Sequence, residues 1–255
     1  MHDATPAEAK PVLLVEELED RVVATLNRPE KRNAIDQQTI DALHDLCERL
    51  ESNPRTLILT GAGGTFAAGA DIAQLRDRGA AEALEGINTR AFMRVRELPM
   101  PVIAVVDGYA LGGGAELAYA ADIRIGTTTT KFGNPETGLG IIAAAGATWR
   151  LREIVGEAIA AEMLLTGRIL NAHQSFAARL VTHLDDDRDE AMARAHKMAD
   201  SIAKLGAQAT QATKRAHLAP RSAHPQIDLE EQSVLFESDD KRERMGAFLD
   251  RRAER

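Results

Sequence analysis

Apolar positions in the first half of the chain alternate between two periods. Pro11–Glu17 and Arg21–Leu26 are short leucine-rich or β-branched runs, and the intervening Glu19-Asp20 predicts a hairpin. Over Ile35–Leu50 the apolar residues Ile40, Leu43, Leu46, Cys47 and Leu50 recur every three or four positions, which predicts one buried helical face. Asn53-Pro54 ends that helix, and Thr56–Thr60 follows as a strand. After a glycine-rich loop, Gly61 to Gly69, the spacing predicts a helix over Ala80–Leu98, closed by Pro99-Met100-Pro101. Pro101–Val106 is a continuous apolar run, the pattern of a strand covered on both faces. Gly112-Gly113-Gly114 opens an alanine-rich helix to about Ala121, and Ile123–Ile125 and Thr127–Phe132 read as two further strands.

From about Arg150 strand signals nearly vanish. Ala158–Thr166, Asn171–Leu180, Glu190–Leu205 and Gln208–Leu218 all carry helical periodicity. The tail from Ile227 to Arg255 is highly charged yet keeps Val234, Leu235, Phe236, Met245, Phe248 and Leu249. So many large apolar residues predict a docked segment, on this subunit or a neighbour. No internal repeat or low-complexity linker divides the chain.

Composition narrows the function. The chain has 255 residues, 44% hydrophobic and 27% charged, the balance of an ordinary globular protein. The net charge of -8, with aromatics at 4%, argues against nucleic acid as a partner. The best apolar run is interrupted by Asp107, so no membrane span is expected. Met1–Lys10 is polar, with no apolar signal core, and the cytoplasm is the expected compartment. One cysteine, Cys47, excludes an intramolecular disulfide and a multi-cysteine metal site. The histidines are scattered singly, and no metal is expected. The Gly61-Ala62-Gly63-Gly64 loop lacks the third glycine of a dinucleotide fingerprint, because Phe66 stands there.

Two segments carry more. One is Phe66–Ile72; the other is Asp107–Leu117, with three glycines at a helix mouth. Glycines there let a ligand approach the first amides of the helix, which have no internal acceptor and favour negative charge. They equally allow tight strand-to-helix packing, and the glycines alone leave both readings open. Glu116 sits in that first turn among small and apolar residues, where a carboxylate is costly unless paired or used. Glu136 lies twenty positions on, in the loop Phe132–Gly140. Two carboxyls in one poorly solvated pocket are pushed apart in pKa, so one holds a proton while the other is ionised. That division of labour suits adding or removing water across a double bond.

At these segments the chain resembles the enoyl-CoA hydratase/isomerase (crotonase) family. The likeness runs from Leu26-Asn27-Arg28-Pro29 and Asn33-Ala34-Ile35, through Phe66–Ile72, Gly108–Leu117 and Asn134-Pro135-Glu136, to Leu165-Thr166-Gly167, Ala177–Val181 and Phe236–Asp240. The resemblance implies an α/β fold, a spiral of ββα units, with residues 1–195 as the core. Residues 196–255 would form a helical C-terminal portion that packs on its own or a neighbouring subunit in a homotrimer or homohexamer. It implies a hydro-lyase acting on an acyl-CoA thioester, with no cofactor beyond the coenzyme A of the substrate. Carried over by position, the amides of Ala70 and Gly113 would hold the thioester oxygen, and Glu116 and Glu136 would be the two acids. Ala68, Gly69, Asp71, Ile72, Gly112 and Leu139 would line the substrate. Arg28, Lys31 and Arg32 are the expected cations for coenzyme A phosphates. Isomerase or related enolate chemistry, or acyl-CoA binding without catalysis, are the alternatives. Ala143, Ala144 and Trp149 depart from the family pattern. Trp149 is expected either to pack under the helical half or to line an acyl pocket.

Overall fold

The computed structural model describes residues 10–253. Most of the segment read above for targeting signals, up to Ala9, lies outside the described residues. In chain order the elements are β1 (Leu13–Glu17), β2 (Arg21–Leu26), α1 (Gln37–Ser52), β3 (Thr56–Gly61), α2 (Ile72–Arg76), α3 (Ala80–Glu85), α4 (Ile87–Arg96), β4 (Val102–Val106), β5 (Tyr109–Leu111), α5 (Gly113–Ala120), β6 (Ile123–Thr127) and β7 (Lys131–Gly133). There follow α6 (Arg152–Val155), α7 (Glu157–Thr166), β8 (Leu170–Asn171), α8 (Ala172–Ala177), β9 (His183–Asp185), α9 (Arg188–Ala203), α10 (Ala207–Leu218), α11 (Gln226–Phe236) and α12 (Asp239–Ala253).

The strands divide between two sheets. One has the order β1-β2-β3-β4-β6-β9, the other β5-β7-β8. The β1–β2 hairpin is antiparallel, and the rest of the larger sheet is parallel. Successive turns of the chain, β4 then β5 and β6 then β7, place one strand in each sheet, with α5 between the turns. This is the expected spiral of ββα units. The segment after β3 joins it through isolated parallel bridges, Ala67 to Ala110 and Ile35 to Ala70.

Side-chain alternation explains why the central strands read as unbroken apolar runs. Leu57, Leu59, Val102, Ala104 and Val106 face a large core shared with α1, α4 and α5. Ile58, Ile103, Val105 and Ile125 face the other way, onto Ala191, Ala195 and Ala199 of α9. Both faces are covered, and neither can be polar. Arg21 secures α9 by donating to the His196 carbonyl at 2.6 Å and pairing with Asp200.

Several predicted elements are corrected. The helix expected over Ala80–Leu98 is broken into α3 and α4 at Gly86, whose φ of 62° takes the chain through the left-handed region. The strand expected over Thr127–Phe132 is divided, because Thr127–Thr130 forms a turn in which the Thr130 hydroxyl accepts from the Thr127 amide at 2.7 Å. The helix expected over Asn171–Leu180 stops at Ala177. The second half does contain strands: β8 and β9 are two and three residues long, too short for an alternation pattern to register. α9 runs unbroken across position 195, so the C-terminal helices begin inside an element rather than at a linker. Among the described residues no helix is long and apolar enough to cross a membrane.

Candidate active site

The two amides singled out in the sequence lie side by side. Ala70 is bracketed by the Ile35 bridge: Ile35 N donates to Gly69 O at 2.8 Å, and Asp71 N donates to Ile35 O at 2.9 Å. Its own N–H has no acceptor among the described residues. Gly112, with φ 51° and ψ -126°, turns the chain from β5 into α5 and leaves Gly113 as the first helical residue. A methyl group built on Gly113 would stand 3.4 Å from the Ala70 nitrogen. The first amide of α5 and the Ala70 amide therefore border one small space.

One carboxyl lies beside this turn, and the other stands on the helix that Gly113 opens. Glu136, at the start of the turn after β7, has its Oε1 3.2 Å from where a methyl on Gly112 would lie. Glu116 stands one turn into α5, and its Oε1 accepts from the Ala147 amide at 3.1 Å. Each residue is nearly sealed from solvent, Glu116 at 5% exposure and Glu136 at 8%. Burial raises the Glu116 pKa to about 7; the Ala147 hydrogen bond opposes this, and the nearby charge of Glu136 adds to it. Burial also raises Glu136, partly offset by the Asn134 amide, which donates to its Oε1 at 3.3 Å. Glu136 Oε2 is buried and has no hydrogen-bond partner among the described residues, the condition of a group reserved for something outside the protein.

Two residues given no role in the sequence reading support this pair. Tyr119 donates its hydroxyl to Asn134 Oδ1 at 3.0 Å, and its ring stacks on Phe132 with centroids 5.9 Å apart. Asn134, fixed from behind by Tyr119, orients Glu136. Asn134 was visible only as a motif letter. The Ala147 amide had no signal at all, since every residue but proline carries one. Asn33, quoted for the resemblance, holds the approach to the Ala70 segment by donating to the carbonyls of Ala62 at 2.9 Å and Thr65 at 2.7 Å.

The other expected substrate contacts divide. Gly69 and Gly112 lie at the amide pair, and Ala68 just before them donates its amide to the Arg32 carbonyl at 2.9 Å. Asp71 caps α2, accepting from Ala73 N at 3.1 Å and Gln74 N at 3.4 Å. Ile72 and Leu139 are exposed. Arg28 is not a free cation. Its guanidinium is 2.9 Å from Asp36 and 3.8 Å from Asp71, and it donates to the Ala34 carbonyl at 2.6 Å, so its charge is satisfied inside the loop. Lys31 and Arg32 are exposed.

Fold and site together define the class, an enzyme of the crotonase fold with two buried carboxyls near two adjoining backbone amides. The chain belongs to the enoyl-CoA hydratase/isomerase family, whose model matches residues 19–255. It is 35% identical to a crotonyl-CoA hydratase of Syntrophomonas wolfei, covering 94% of this chain and 95% of that protein. It is 34% identical to a short-chain-enoyl-CoA hydratase of Clostridium acetobutylicum, covering 90% and 91%. The crystal structure of an enoyl-CoA hydratase from Bacillus anthracis superposes with a TM-score of 0.88 at 28% identity, covering 94% of this chain and 96% of that one.

Proposed function

We propose that the protein hydrates trans-2-enoyl-CoA thioesters to 3-hydroxyacyl-CoA. The observation that supports this reading is a pair of nearly sealed glutamates, one beside Gly112 and one in the first turn of α5, next to the adjoining amides of Ala70 and Gly113. The amides of Ala70 and Gly113 hold the thioester oxygen. Glu116, as carboxylate, removes a proton from water as the water oxygen bonds to C3 of the acyl group. The double-bond electrons move toward the carbonyl, and the resulting negative charge collects on the thioester oxygen. Preorganised amide donors favour that charge because they need no reorientation when it forms. Glu136, as carboxylic acid, then gives its proton to C2. A base whose pKa has been raised to about 7 is well matched to work near neutral pH.

Two carboxyls, rather than one, favour hydration over a double-bond shift, which needs a single group to carry a proton between carbons. The substrate brings its own coenzyme A, and no further cofactor enters these steps. Exposed Lys31 and Arg32 are the cations available to its phosphates. The test is the loss of conjugated-enoyl absorbance when the purified protein meets crotonyl-CoA; persistence of that absorbance at high protein concentration rejects the reading.

The same proposal includes a homotrimer or a pair of trimers in the cytoplasm. Its support is the apolar residues that α11 and α12 leave exposed, among them Leu229, Val234, Phe236, Phe248 and Leu249. Sedimentation at micromolar concentration decides this, and a monomer there removes it.

A further inference from the structure

Beside Glu116 lies a half-open cleft of about 10 Å³, room for a single water-sized group, between α4, α5 and the turn after Gly146. Its walls include Phe92, Met93, Arg96, Glu116, Tyr119 and Trp149. Under the hydratase reading, the thioester oxygen is fixed at Ala70 and Gly113 and C3 must lie at Glu116. The acyl group beyond C3 then continues past Glu116, into the space that Glu116 borders.

Trp149 forms part of its wall. The residue lies in a single π-helical turn, Ala147–Leu151, a geometry that recurs at functional sites. The same turn supplies the Ala147 amide to Glu116. The indole is held from below by Arg96, whose guanidinium carbon is 5.4 Å from the ring centroid. Arg96 is braced in turn. It shares Glu153 with Arg150, at 4.0 Å and 3.0 Å, and Arg150 Nε donates to the Tyr119 carbonyl of α5 at 3.3 Å. The wall is thus tied to the helix that carries Glu116. The indole is 37% exposed, so its outer side meets the surface of the chain.

We propose that Trp149, held by Arg96, is the specificity-determining end wall of the acyl cleft and restricts the enzyme to short acyl groups. This rests on the hydratase reading above. Removing the indole opens the cleft toward the exposed side of the ring. A longer chain then gains a path, while the amides and both glutamates are untouched.

Trp149 is the only tryptophan in the chain, so its emission reports the cleft directly. Saturated butyryl-CoA should shift or quench that emission, whereas free coenzyme A at saturation should not. Equal responses to the two overturn the placement of the acyl group. In Trp149→Ala, the ratio of kcat/KM for trans-2-decenoyl-CoA to that for crotonyl-CoA should rise about tenfold or more. Trp149→Phe, which keeps a ring in place, should raise it less, and it serves where the alanine variant does not fold. A folded variant with the wild-type ratio overturns the inference while the hydratase reading stands. A wild-type protein inert toward every enoyl-CoA, whose tryptophan still distinguishes butyryl-CoA from coenzyme A, rejects the hydratase reading and leaves the wall in place.

Discussion

The backbone amide of Ala147 donates to Glu116 Oε1 at 3.1 Å, across 31 residues of sequence. It is the counterweight to burial at this carboxyl. An ionised glutamate sealed inside an alanine-rich helix is costly without a donor, and this amide supplies one without adding a positive charge that would depress its basicity. The Glu116 pKa settles at about 7 instead of climbing further.

Each glutamate should be required for turnover. Glu116→Gln and Glu136→Gln should each reduce kcat for crotonyl-CoA hydration by about 10²–10⁴-fold, the usual contribution of a positioned acid or base. The wild-type rate should follow a bell-shaped pH profile, because Glu116 must lose its proton, with a pKa of about 7, while Glu136 must keep one. Stopped-flow absorbance across pH 5–9 checks both, and wild-type rates in either variant would remove the two-acid assignment.

The same carboxyl should make folding stability depend on pH. Glu116 binds its proton more tightly in the folded chain, where its pKa is about 7, than in the unfolded chain, where it is 4.5. Between those values the native state carries the extra proton, so stability falls as pH rises through the window. Glu116→Gln removes that dependence. It should melt a few degrees above wild type at pH 8, corresponding to a gain on the order of 2–3 kcal/mol, with little difference at pH 4. Thermal melts at the two pH values decide it.

Adjacent glycines should respond in opposite ways to alanine. A methyl on Gly114 would lie 2.2 Å from the Ala67 carbonyl oxygen, an overlap that backbone on both sides cannot relieve. Gly114→Ala should therefore fold poorly. A methyl on Gly113 meets Ala70 N at 3.4 Å, close to ordinary contact, and stands where the thioester oxygen would sit. Gly113→Ala should fold and lose about 10²–10³-fold in turnover. Melting temperature and kcat measured together separate the two.

The loop cations should divide between stability and affinity. Arg28→Ala strands the buried Asp36 carboxylate and should cost about 3–5 kcal/mol in urea unfolding. Lys31→Ala, at an exposed position, should leave stability within about 0.5 kcal/mol. If Lys31 meets a phosphate, its loss should weaken coenzyme A binding in calorimetry, and more so at low salt.

Much of the fold was legible because its signals are local. The β1–β2 hairpin, the α1 face through Ile40, Leu43, Leu46, Cys47 and Leu50, and the doubly covered β4 all follow from local sequence pattern. What escaped had too few residues or the wrong kind of signal. β9 joins the sheet with three residues, and α3 breaks from α4 at one glycine that a periodicity count passes over. Arg28 shows a related limit: a charge in a loop looks free until the fold shows Asp36 beside it.

By itself the sequence determined which groups were available: helical and strand periods, glycines at the α5 mouth, and an acid where an apolar helix can least afford one. These are properties of a residue and its near neighbours, and chain geometry makes them readable. The tertiary structure alone decided what they meet. It set Ala70 against Gly113, brought Ala147 to Glu116 and Asn134 to Glu136, and stood Trp149 over Arg96. Those pairings depend on how separate turns of the spiral stack, and stacking is fixed by the summed packing of both cores, which no local pattern contains.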